Sequence, residues 1–187
     1  MKSVFKIFIL LLAYACNAQG RNVVNHDLSL SRIIDSLKID KNTISILIDK
    51  SDYRLYICSN EKIIKEYPVV FGKKDNQDKL MQGDKCTPEG KFNIISKYPH
   101  KEWSKFIWIN YPNQDSWRKH NEAKKNGTIP KNAEIGGSVG IHGVPKGMDY
   151  LIDLKYNWTL GCISLKNKDV NEIYPYINKN TVIEIRK

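Results

Sequence analysis

A chain of 187 residues and 21.6 kDa has room for one ordinary domain, which argues against a two-domain enzyme. Hydrophobic residues make up 41%, with 10 Tyr, 5 Phe and 4 Trp, enough for a packed core and too much for a largely disordered chain. Lys and Arg number 30 against 20 Asp and Glu, a formal charge of +10 that suits an anionic partner without specifying one.

In residues 1–18, Lys2 and Lys6 accompany an apolar run that ends in Ala13-Tyr14-Ala15-Cys16-Asn17-Ala18. Basic start, apolar stretch and small-residue end predict a secretory signal cut after Ala18. The run is shorter than the roughly 20 residues a membrane span needs. A lipoprotein reading is the alternative, with Cys16 as the lipidated first residue. Export places Cys58, Cys86 and Cys162 in an oxidising compartment. An odd count leaves at least one thiol unpaired, and Cys58 and Cys86 read as buried small hydrophobes before they read as a pair.

Residues 19–40 form a linker in which Leu28, Leu30, Ile33, Ile34 and Leu37 recur at helical spacing. From Ile44 the period becomes two: Ile44, Ile46 and Ile48, a turn at 50–52, then alternation over 54–58 predict a β-hairpin. After a turn at 59–62, a strand over 63–71 carries Pro68, which suits an edge or a bend. Residues 75–85 read as a charged loop, and Thr87-Pro88-Glu89-Gly90 as the turn into a strand over 91–95. Further strands are expected at 106–110 and 139–143, helices at 115–125 and 169–177, and a closing strand at 181–185. The count predicts a mostly-β domain with a few short helices.

No two of His26, His100, His120 and His142 have the spacing of a zinc-binding helix, and Cys-x-x-Cys is absent, so no metal is expected. Gly136-Gly137-Ser138-Val139-Gly140 fits the G-x-S-x-G pattern of a nucleophile elbow but lacks its context. An elbow needs a helix after the Ser and a distant His, whereas a strand-like Val-Gly-Ile-His-Gly follows here. Cys162, in Thr159-Leu160-Gly161-Cys162-Ile163, has small neighbours that leave a thiol accessible. His142, itself glycine-flanked, is positioned in sequence to sit beside it and raise its thiolate fraction, giving a Cys/His pair for acyl transfer. A buried structural Cys is the competing reading of the same spacing.

These residues resemble the signature of the L,D-transpeptidases, the YkuD-type catalytic domain: Ile141-His142-Gly143, then Thr159-x-Gly161-Cys162-Ile163. Tyr67-Pro68-Val69 to Gly72, and Thr87-Pro88-Glu89-Gly90-Lys91-Phe92, resemble its N-terminal half in order and spacing, so the likeness covers about residues 41–187. It implies a single β-sandwich-like domain over 41–187 in the cell envelope, acting on peptidoglycan stem peptides without a cofactor or nucleic acid. Cys162 would attack at the third residue of a stem tetrapeptide and expel D-Ala. His142 would serve as general base and acid, oriented by the Gly143 backbone carbonyl, and a neighbouring stem would accept the acyl group in a 3-3 cross-link. Backbone N–H groups around Leu160, Gly161 and Cys162 would bind the oxyanion, with Thr159 in support.

Two positions depart from the family pattern: Leu160 and Ser164 stand where many members carry a His and an Arg or Asn. Donor and acceptor preference are therefore open, and L,D-carboxypeptidase activity or a non-catalytic wall-binding module are the alternatives. Sortase-like enzymes place an Arg after the Cys on a neighbouring strand, whereas only Arg186 follows here, and papain-like enzymes place Cys before His. Residues 111–131 read equally as a cleft wall or lid and as a surface insertion.

Overall fold

The structure, a computed structural model, describes residues 27–187. The expected signal and the alternative lipid site at Cys16 lie outside the described residues. Eight strands run β1 (Ile44–Asp49), β2 (Arg54–Ser59), β3 (Lys62–Pro68), β4 (Gly90–His100), β5 (Ser104–Ile109), β6 (Gly140–His142), β7 (Ile163–Ser164) and β8 (Val182–Arg186). The helices are α1 (Leu30–Ser36), α2 (Gln114–Lys125), α3 (Tyr150–Asp153) and α4 (Asn167–Ile173). The fold is mostly β with short helices, as the sequence predicts.

The strands form one mixed sheet in the order β3-β2-β1-β8-β4-β5-β6-β7. Pairs β1/β8 and β6/β7 are parallel. The long strand β4 joins two half-sheets: Gly90 to Asn93 pair with β8, and Ile94 to His100 pair with β5 across a register shift. Both halves feed one core, Ile46, Ile48, Leu55 and Ile57 from one side meeting Ile107, Ile109, Ile141 and Ile163 from the other, with Val170 and Ile173 of α4. Leu47, Tyr56 and Ile63 bury against Cys58 on the opposite face of the hairpin. Cys58 and Cys86 are both buried and not disulfide-bonded.

Three expectations change in detail. The strand over 63–71 ends at Pro68, which has no N–H to continue the ladder. The chain then crosses toward β7, where Val70 and Ser164 exchange backbone hydrogen bonds of 3.0 and 2.9 Å. The helix over 169–177 ends at Ile173 and tightens into a 3₁₀ turn, Tyr174–Tyr176, because Pro175 cannot donate to a preceding turn. Finally, α1 is part of the domain rather than of a linker. Leu30, Ile33 and Ile34 lie in the main core, and Leu30 N–H donates to Glu172 Oε1 at 2.7 Å.

Residues 111–131 carry α2, which packs against the charged loop. Asn113 caps α2 by accepting from Ser116 N–H. From that helix Lys119 Nζ donates to Asp78 Oδ2 and the Glu89 carbonyl, while His120 Nδ1 lies 2.7 Å from the Leu80 carbonyl. The helix thus clamps the charged loop between β3 and β4. Among the described residues no helix is long and apolar enough to cross a membrane.

Candidate active site

The parallel pairing of β6 with β7 matches Ile141 with Ile163 and His142 with Ser164. Continued by one step, that register brings Cys162 level with Gly140. Because side chains alternate along a strand, Cys162 and His142 fall on the same face, one diagonal apart. Both line a cavity of about 480 Å³ walled by Trp103, Phe106, Trp158 and Leu160. Gly140 is required at this crossing: a Cβ there would lie 2.6 Å from the Phe106 ring and 2.7 Å from the Ile107 carbonyl.

His142 is 2% exposed. Its Nδ1 is 2.6 Å from the Gly143 carbonyl oxygen. A carbonyl only accepts, so Nδ1 carries the proton and Nε2 keeps its lone pair. Gly143 is itself fixed: its carbonyl also accepts from Ser164 Oγ at 3.2 Å, and its N–H donates to the Trp103 carbonyl at 3.0 Å. A Cβ at 143 would overlap Asn167 Oδ1 and the Trp103 carbonyl, which explains the glycine. Trp103 stacks on the imidazole at 4.4 Å, Phe106 lies parallel at 5.7 Å, and Trp158 meets its edge at 5.6 Å. Burial among these rings lowers the His142 pKa to about 4, against the opposing pull of the Gly143 hydrogen bond.

Cys162 is half-buried, and its Sγ lies 3.6 Å from the Ser138 carbonyl. Burial pushes the thiol up, while the Gly140 amide and the Lys79 ammonium act in the opposite direction. Thr159 builds the turn that presents the sulfur. Its Oγ1 donates to the Cys162 carbonyl at 2.7 Å and accepts from Gly161 N–H at 3.1 Å, and its own N–H donates to the Phe71 carbonyl. Gly161 sits at φ +139°, and a Cβ there would lie 2.7 Å from the Cys86 carbonyl. Its N–H is held by Thr159 Oγ1. The Leu160 side chain is 69% exposed on the cavity rim.

A second cavity of about 500 Å³ opens on the other side of Cys162, lined by Lys79, Gln82, Gly136, Gly137 and Ser138 among others. Residues 136–140 thus form a glycine-rich wall leading into β6, with Ser138 at φ 55°, in place of a nucleophile elbow. Sequence reasoning brought together Cys162, His142, Gly143 and Thr159, but missed Trp103, Trp158, Ser164 as a partner of Gly143, and Lys79. A tryptophan within the polar stretch Lys101-Glu102-Trp103-Ser104-Lys105 was the one available signal. Among the described residues no group of three or more His, Cys, Asp or Glu side chains could hold a metal. What the site offers is a thiol, a neutral imidazole with a bare nitrogen, and two cavities that meet at the sulfur.

Residues 43–185 match a family model described as the L,D-transpeptidase catalytic domain, YkuD. No curated protein matches the chain. Among solved structures it is similar to the helical cell shape determining protein Pgp2 from Campylobacter jejuni, at 23% identity and TM-score 0.56 over 78% of this chain and 48% of that one. It is similar to Bdellovibrio bacteriovorus Bd1075 at 23% identity and TM-score 0.53, over 77% and 48% of the two chains. L,D-transpeptidase 3 from Mycobacterium tuberculosis, solved with a faropenem-derived adduct, is 11% identical with TM-score 0.51, over 78% and 60%. The described fold is shared with all three, and the chain spans about half the length of the first two.

Proposed function

Because the chain belongs to the L,D-transpeptidase (YkuD) catalytic domain family, we propose that it acts on peptidoglycan stem peptides in the cell envelope as a cysteine acyltransferase. Cys162 Sγ attacks the carbonyl of the third residue of a tetrapeptide stem while His142 Nε2 takes the thiol proton. Collapse of the tetrahedral species breaks the peptide bond, His142 returns the proton to the leaving amine, and D-Ala departs, leaving a thioester on Cys162. The amine of a neighbouring stem then attacks the thioester, its proton passes to His142 and on to the sulfur, and a 3-3 cross-link forms.

The observation that carries this reading is the hydrogen bond from His142 Nδ1 to the Gly143 carbonyl, which aims a basic Nε2 into the cavity shared with Cys162. It gives the carbonyl the role of the third member of a triad, holding tautomer and ring orientation. Burial disfavours charge on both partners, so the resting pair is neutral thiol and neutral imidazole. The proton accordingly stays on the sulfur in the resting enzyme and passes to His142 Nε2 only once the substrate carbonyl is in place. With Gly161 N–H committed to Thr159 Oγ1, the amides of Leu160 and Cys162 are the remaining oxyanion candidates, a function worth about 2.7 to 4 kcal/mol per donor.

Mass spectrometry of products from purified disaccharide-tetrapeptide tests the proposal. Cross-linked dimer and released alanine are expected from the wild type and neither from Cys162→Ala. Tripeptide without dimer would make water the acceptor and the enzyme an L,D-carboxypeptidase. No Cys162-dependent product would overturn the reading.

A further inference from the structure

A buried cation stands beside the nucleophile and has no part in the reaction above. Lys79 lies in the loop between β3 and β4 and is 6% exposed, yet it lines the same cavity as Cys162. Its Nζ lies 3.8 Å from the point where a Cβ of Gly161, the residue before the nucleophile, would sit. It pairs with Asp84 Oδ1 at 2.8 Å and donates to the Met81 carbonyl at 3.1 Å. An ammonium has three N–H bonds, so one is left after these two contacts.

The loop that carries it is fixed on several sides. Asp84 Oδ2 accepts from Leu80 N–H and Met81 N–H, and Oδ1 from Cys86 N–H. The Leu80 carbonyl faces His120 Nδ1 on α2, and Gln82 N–H donates to the Glu134 carbonyl at 2.7 Å. A buried lysine held this firmly costs desolvation that the single Asp84 pair does not obviously repay. Its placement calls for a further role.

We propose that the Lys79 ammonium, anchored by Asp84 and the Met81 carbonyl on the wall of the cavity it shares with Cys162, is the cation that stabilises the Cys162 thiolate as its proton leaves for His142. The inference rests on Cys162 being the nucleophile. Charge balance at the site supports it. His142 is deeply buried among aromatic rings and is a poor place for standing positive charge, so the developing negative charge on sulfur needs another partner. Lys79 favours the thiolate at Cys162, and at Cys86 it does the same against the opposing carboxylates of Asp84 and Asp75. Lys79 is thus a positioning charge, with the proton transfer itself left to His142.

Alkylation of Cys162 by iodoacetamide, followed by peptide mass spectrometry from about pH 5 to pH 10, reads the thiol titration without any peptide substrate. Lys79→Gln removes the charge and keeps a donor for its partners. The double variant Lys79→Gln/Asp84→Asn removes both charges and strands no carboxylate, and Lys79→Arg retains the cation. The expected result is a midpoint about one unit higher in both neutral forms, hence labelling about tenfold slower near pH 7, with Lys79→Arg close to wild type. An unchanged midpoint in the folded double variant overturns the proposal. A shift confined to Lys79→Gln also overturns it, since the stranded Asp84 would then be the cause. Identical titrations combined with lost turnover on tetrapeptide would assign Lys79 to substrate binding and overturn the thiolate role. A wild-type Cys162 that labels at no pH would instead refute the nucleophile assignment itself.

Discussion

Protonation of His142 is the perturbation with the largest calculable effect on this domain. The imidazole is 2% exposed and its pKa falls from the ordinary 6.5 to about 4, chiefly through burial. A group whose folded pKa is depressed stabilises the fold fully above its unfolded value and loses that contribution as pH falls toward the folded value. The window therefore runs from about pH 6.5 down to about pH 4. A difference of about 2.5 units at 1.36 kcal/mol each, less the partial titration of the folded state at pH 4, gives a loss of about 3 kcal/mol. That is a large part of the 5–15 kcal/mol typical of a domain. Urea unfolding at about pH 7.5, 6, 5 and 4 measures it, with His142→Gln as the reference in which this titration is absent. Subtracting the two curves cancels carboxylates common to both. The wild type is expected to lose about 3 kcal/mol more than the variant across this range. Curves parallel to within about 1 kcal/mol would refute the reasoning and mean that water reaches the ring. In the same range, kcat/KM is expected to fall with an acid midpoint near 4 in place of 6.5, because that profile reports the free enzyme's base.

Thr159→Val keeps the shape but strands the part-buried Cys162 carbonyl and the buried Gly161 N–H. A cost of about 1–3 kcal/mol per stranded group is expected in thermal unfolding, with turnover reduced at least tenfold and largely restored in Thr159→Ser. Gly161→Ala drives a Cβ to 2.7 Å from the Cys86 backbone carbonyl at a φ that favours glycine. It should lower the melting temperature and disturb iodoacetamide labelling of Cys162, and normal values of both would count against a tightly fixed turn. Asp169 is buried, which raises its carboxyl to about 6 against the opposing pull of Lys168 and Lys166. A raised carboxyl costs stability above its folded pKa and nothing below its unfolded one. Asp169→Asn is therefore expected to gain about 2–3 kcal/mol near pH 8 and none near pH 3.5 in denaturant titrations.

The hairpin was legible because Ile44, Ile46 and Ile48 point to one core while Leu47 points to the other face. A period of two survives when each face has a fixed environment. The strand β7 and the helix α3 span two and four residues, too short to carry a period. Glycines at 140, 143 and 161 mark the site because each is a close approach of backbone to backbone or ring, and such positions leave a trace in the sequence. The residues missed are those whose role comes from distant contacts. Trp103 reaches His142 across β5 and β6 through stacking, which no local pattern encodes. The loop over 75–85 reads only as a charged loop, yet its Lys79 is buried in an ion pair with Asp84, and its Asp75 in one with Lys50 of the turn after β1. Composition does not distinguish a lysine that faces water from one that faces a carboxylate.

Intact-mass measurement after exposure to a carbapenem tests the nucleophile assignment most directly, because a β-lactam acylates the reactive side chain and leaves the adduct in place. One equivalent added to the wild type, located on Cys162 by peptide mapping and absent from Cys162→Ala, is the expected result, with the His142→Gln variant acylated far more slowly. An unmodified mass after prolonged exposure, or an adduct that persists in Cys162→Ala, would contradict the assignment of Cys162 as the nucleophile activated by His142.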